Sequence, residues 1–129
     1  MLTFIVGAFV VLHGLVHLLY FAQSRRLLEL RPDLRWPDGS WAFSRLLGDE
    51  TTRQLASIAC LVAAGSFVAG GAGLLLGQDW WRALVVGAAA FSAVIIALLW
   101  NGTRRRLSDQ GGIGLLIDLA LVVALLIQR

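Results

Sequence analysis

The sequence predicts an all-α integral membrane protein: a four-helix bundle with a surface-lying amphipathic connection between helices 1 and 2. Three observations predict it. Four long apolar runs raise the hydrophobic content to 58%, against about 45–50% in soluble domains, and the mean hydropathy to +0.78. The first run, at a rise of about 1.5 Å per residue, matches a hydrocarbon core of roughly 30 Å. The charged residues gather between the runs, and the basic ones are eleven arginines with no lysine. With abundant Ala, Leu and Gly, that usage points to a GC-rich bacterial genome. A chain of 129 residues forms one domain.

The first span, residues 2–22, carries a polar stripe: His13-Gly14-Leu15-Val16-His17, then Tyr20. Residues four apart on a helix lie one turn above each other, so both histidines and Tyr20 share a face. No cleavable signal peptide is expected, because Met1 runs into apolar sequence without a basic region. Arg25 and Arg26 follow as a stop-transfer flank.

The connection over residues 23–52 is long for a four-helix protein. Leu27, Leu28, Leu30 and Leu34 alternate with Arg25, Arg26, Glu29 and Arg31, which predicts a short amphipathic helix on the membrane surface over 24–34. Pro32 and Pro37 interrupt it, and Pro37-Asp38-Gly39 signals a turn. Ser40 is placed to cap a short helix over 41–47 that Gly48 closes. Trp36 and Trp41 suit the headgroup level, where an aromatic ring has one apolar and one wet side.

The second span, residues 53–76, opens on Thr51-Thr52-Arg53-Gln54, a capping-box pattern. Gly65, Ala69, Gly73 and Gly77 recur every fourth residue, a ridge where another helix can approach closely, within the protomer or between protomers. Trp80 and Trp81 anchor the start of the third span, 81–100, and Trp100 its end. The last span, 112–127, embeds Asp118.

Nine of the eleven arginines flank the first and third connections; Arg82 and Arg129 lie on the opposite side. Basic residues stay in the cytoplasm, so both termini are expected outside a bacterial cytoplasmic membrane. That topology discards Asn101-Gly102-Thr103 as a glycosylation site. The isoelectric point near 10.4 is then explained by orientation and lipid headgroups, not by nucleic acid.

Counted from the basic ends, His17 lies about 7 Å deep, His13 about 13 Å and Asp118 about 9 Å. Ser57, Cys60 and Ser92 fall in the same half, so His13, His17, Tyr20, Ser57, Cys60, Ser92 and Asp118 are expected at one level. A buried carboxylate needs a partner, and the counted depths favour His17 over His13. The group reads as a polar clamp between the first and fourth helices. It also reads as a zinc or iron site, since two histidines at i and i+4 with a carboxylate make a metal triad. A haem between the histidines is excluded, because one helix face cannot supply opposite axial ligands. The lone Cys60 allows no internal disulfide.

The His13–His17 stretch, the Trp80-Trp81 start and Gly114-Leu115-Leu116-Ile117-Asp118 resemble a group of small uncharacterised bacterial four-span membrane proteins, permease-like or DoxX-like in layout. The resemblance implies an inner-membrane four-helix bundle and brings no established active residues. Quinone-linked thiol oxidoreductases need a Cys-x-x-Cys pair that Cys60 alone cannot supply, and small multidrug exporters use a glutamate where this first span has histidines. The first functional expectation is therefore a non-enzymatic accessory subunit or a lipid- or partner-binding module. It would sit in the bilayer against a membrane-protein partner or a second copy. The alternatives are a metalloprotein or enzyme built on His13, His17 and Asp118, or a proton-coupled oligomeric transporter.

Overall fold

The computed structural model describes residues 1–29, 31–32 and 35–128. Four helices run up and down: α1 (Leu2–Ser24), α2 (Ser44–Leu75), α3 (Trp81–Leu99) and α4 (Ile113–Ile127). No strand occurs among the described residues. All four helices are long and apolar enough to cross a membrane, α4 when taken with the turn that leads into it, Ser108–Ile127. Each packs on the next in sequence, α1 on α2, α2 on α3 and α3 on α4.

In lipid, apolar side chains gain little by leaving one greasy surface for another, so close backbone approach must drive the packing. Here it comes from α1 and α2. A Cβ on Gly14 would stand 2.7 Å from Phe67 Cβ and 3.1 Å from the Ala64 carbonyl oxygen; one on Gly71 would stand 2.9 Å from the Gly7 carbonyl oxygen. Gly7 and Gly14 thus oppose Gly71 and Ala64 in antiparallel register, two turns apart on each helix. The expected ridge is not this surface. Gly65, Ala69 and Gly77 are exposed, and nothing lies within 4 Å of a Cβ on Gly65 or Gly77. Gly73 is buried, but it makes room for the Trp80 ring, 2.8 Å from its notional Cβ, in the tight α2–α3 connection. The four-residue repeat follows one side of α2, and α1 packs on another.

The first connection folds over the arginine-rich end of the bundle. α1 continues to Ser24, and Arg26 then takes a left-handed conformation (φ 58°) that no helix can continue through. The amphipathic helix expected over 24–34 is therefore absent among the described residues; Leu30 and Leu34 lie outside them. Residues 41–43 form a turn and the helix starts at Ser44 with Phe43 as its N-cap, so Ser40 braces the turn instead. Its Oγ accepts from the Ala42 and Phe43 N–H groups at 3.2 and 3.0 Å and donates to the Leu98 carbonyl. Trp41 donates from its backbone N–H to the Trp100 carbonyl (2.9 Å) and from Nε1 to the Ala97 carbonyl (2.7 Å). The last carbonyls of a helix have no partner within it, and those of Ala97 and Leu98 in α3 find theirs in this connection.

The short helical stretch before Gly48 runs on into α2, broken at Gly48, where φ of 77° and ψ of 165° suit only glycine. α2 thus resumes well before Arg53, and Thr52 lies inside it, its hydroxyl donating to the Gly48 carbonyl at 2.7 Å. The capping box expected at Thr51-Thr52-Arg53-Gln54 gives way to this glycine break. Trp36 also departs from expectation. It is 1% exposed and packs with Ala56, Cys60 and Leu99, so it belongs to the core. Trp41 and Trp80 are well exposed at helix ends, and Trp81 and Trp100 are half-buried there. Arg129 lies outside the described residues.

Candidate functional site

Three helices build one buried polar cluster. His13 Nε2 donates to Asp118 Oδ1 at 2.8 Å, joining α1 to α4. One turn on, His17 Nδ1 lies 3.0 Å from the His13 backbone carbonyl. A carbonyl only accepts, so the proton sits on Nδ1, and Nε2 is left to accept from the Ser92 hydroxyl of α3 at 2.7 Å. His13, His17, Ser92 and Asp118 are all buried, Asp118 completely.

The sequence dictates this arrangement locally. Gly14 lets α1 close on α2 beside the histidines, and Phe67 of α2, fully buried, forms the wall they stand against. Its ring centre is 4.8 Å from that of His13, nearly perpendicular, and 5.2 Å from that of His17. The imidazoles are 5.1 Å apart and mutually perpendicular. An apolar wall of this kind excludes water and strengthens the hydrogen bonds inside it. One polar atom is left over: Asp118 Oδ2 is buried with no hydrogen-bond partner.

The expected pairing of His17 with Asp118 is therefore corrected to His13 with Asp118. The depth count started from the wrong ends. α1 ends at Ser24, and the fourth helical path begins at Ser108. Counted from there, His13 lies about 16 Å deep, Asp118 about 15 Å and His17 about 10 Å. Gly112 is already well inside the bundle, because the chain re-enters through a helical turn, Ser108–Gly112, with Gly111 at φ 95°.

Of the other residues expected at this level, Tyr20 and Cys60 line a small cavity beside His17 and Ser92, together with Trp36. Its volume is about 10 Å³, enough for one water at most. The Tyr20 ring packs edge-on against Trp36 at 5.0 Å. Ser57 stays out of the cluster; its hydroxyl donates to the Gln54 carbonyl of its own helix at 2.8 Å. Phe67 and Gly14 escaped the sequence reading, although the seven-residue spacing of Gly7/Gly14 and of Ala64/Gly71 marks the face on which both lie.

Each of His13, His17 and Asp118 offers a metal-ligating atom, and the three atoms lie within 4.8 Å of one another. The cluster can thus act chemically in two ways, as a hydrogen-bonded fastener or as a set of ligands. Comparison of the chain with protein-family models, with curated proteins and with solved structures found no match. The resemblance to small four-span membrane proteins is carried by the four apolar helices alone, and nothing found supports a permease-like or DoxX-like layout in particular.

Proposed function

We propose that this chain is a non-enzymatic accessory or partner-binding module of the bacterial cytoplasmic membrane, with both termini outside and the His/Asp cluster serving as a clamp. One observation carries the reading. His13 is bonded to Asp118 and His17 to Ser92 across α1, α3 and α4, with Asp118 Oδ2 left over, and the space beside them holds about one water. Such a cluster fastens helices and leaves no room for an organic substrate. The arginine asymmetry supports the orientation. The exposed small-residue side of α2, with Gly65 and Ala69, supports a contact with a partner helix or a second copy.

The test is replacement of the clamp by packed apolar residues. A fastener tolerates His13→Leu combined with Asp118→Leu, as buried ion pairs often do; a cell carrying that variant behaves like wild type. Loss of the deletion phenotype's rescue by a folded double variant would show that the cluster does chemistry, and the reading would fall.

A further inference from the structure

We infer that the clamp is a metal-binding site, in which His13, His17 and Asp118 hold one zinc ion between α1 and α4. The inference rests on the clamp reading and names the ligand that completes it.

Three features of the cluster point to an ion. The ligand set is two imidazoles and one carboxylate, the donors that suit zinc, and their ligating atoms lie within 4.8 Å of one another. Around a four-coordinate ion with bonds of about 2.0–2.2 Å, ligand atoms stand about 3.3 Å apart. The His13–Asp118 separation of 2.8 Å must open slightly and the widest pair must close by about 1.5 Å, adjustments within reach of side-chain rotation. Second, His17 is already oriented as a ligand. Its Nδ1–H is held by the His13 carbonyl, the outer hydrogen bond that metal-binding histidines ordinarily make, and this directs Nε2 inward. Third, Asp118 is fully buried and one of its oxygens has no partner. A bound cation gives that oxygen the partner it lacks.

The surroundings select the geometry. An open iron site with two histidines and one carboxylate keeps several positions for water and substrate. The cavity beside His17, about 10 Å³, admits one water at most. A tetrahedral ion with three protein ligands and one small fourth ligand fits once the Ser92 hydroxyl, which donates to His17 Nε2 at 2.7 Å, turns away and leaves that nitrogen to the ion. The hydroxyl then stands beside the fourth position. To ligate through Nε2, His13 must carry its proton on Nδ1, so binding exchanges the tautomer that donates to Asp118 and replaces that hydrogen bond with two bonds to the ion.

The experiment uses the full chain, purified in detergent with any affinity tag removed, stripped with chelator and titrated with Zn²⁺ against a chromophoric competitor. Co²⁺ serves as the spectroscopic probe. The expected result is about one Zn²⁺ per chain and the visible absorption of four-coordinate Co²⁺. Asp118→Asn keeps an acceptor for His13 and so preserves the fold, yet it weakens binding by more than about 100-fold, beyond what an outer partner costs. His17→Gln does the same, while Cys60→Ser leaves binding unchanged. Absence of binding by the wild-type chain, or binding that survives both Asp118→Asn and His17→Gln, overturns the inference. The clamp is judged separately, on metal-free protein, from the energetic coupling of His13 to Asp118. A clamp that couples without binding zinc removes the ion alone; loss of coupling removes the clamp.

Discussion

His13 and Asp118, 105 positions apart in sequence, share a 2.8 Å hydrogen bond with both side chains buried. It joins the first helix to the last, whereas the extensive helix contacts follow chain order from α1 to α4. His17, one turn from His13, meets Ser92 of α3 at 2.7 Å. Two successive turns of α1 therefore fasten two different helices, through one polar bond each.

The α1–α2 contact depends on the absence of side chains at Gly14 and Gly71. Gly14→Leu and Gly71→Leu should each destabilise the bundle by about 1–3 kcal/mol or abolish folding, the cost of overpacking. Gly65→Leu, in open space, should change monomer stability by less than about 0.5 kcal/mol. Thermal unfolding in detergent separates the two sets. A larger loss at Gly65 than at Gly14 would reverse the assignment of the packing face.

The connection pinned over α3 supplies a second prediction. Trp36→Ala should cost about 3–5 kcal/mol, as removal of a fully buried aromatic does. Ser40→Ala should cost about 0.5–1.5 kcal/mol through loss of its hydrogen bonds to the turn and to the Leu98 carbonyl. Trp41→Phe, which keeps the ring but not the Nε1 donor to Ala97, should cost about 0.5–1.5 kcal/mol. Chemical denaturation of the three variants gives the order. A Trp36 variant as stable as wild type would place that ring outside the core.

Some of this was legible in the sequence, for identifiable reasons. Apolar runs long enough to span a membrane leave few other folds, so four helices could be read directly. His13, His17 and Asp118 stood out because ionisable groups inside such runs need partners. Which partner each takes was not legible, since depth counted along a helix is only as good as the assumed end. Ser24 and Ser108 moved the count by several ångströms, enough to exchange His17 for His13. Trp36 was misplaced because a tryptophan in a polar loop gives no local sign that the loop will fold back onto Ala56 and Leu99. The glycine repeat in α2 was legible as a smooth face, but spacing does not say which neighbour occupies it, and α1 packs on another side.

The arginine-rich end is tied by exposed ion pairs, Arg31 with Asp109 and Arg106 with Asp38, each at 3.2 Å. Pairs this exposed contribute at most about 1 kcal/mol and are screened by salt. Arg106→Ala should therefore lower stability by less than about 1 kcal/mol, with the difference shrinking as salt rises. Unfolding at low and high ionic strength checks it; a large, salt-independent loss would mean that Arg106 packs rather than pairs.

Orientation can be read with reporters that are active on one side of the membrane only. Fused after Arg129, a periplasmic reporter should be active and a cytoplasmic one silent, because nine of the eleven arginines lie at the other end. The reverse pattern would invert the topology and leave the internal cluster as described.

The central claim is that His13 and Asp118 act as one unit. A double-mutant cycle on metal-free protein measures this most directly, with His13→Leu, Asp118→Leu and the pair compared by unfolding in detergent. Each single change leaves a buried polar group alone and should cost about 3–5 kcal/mol. The double variant should cost clearly less than the sum, with a coupling energy of about 0.6–2 kcal/mol or more. The same cycle on His17 and Asp118 should show the smaller coupling. Additivity of the His13 and Asp118 changes would contradict the clamp.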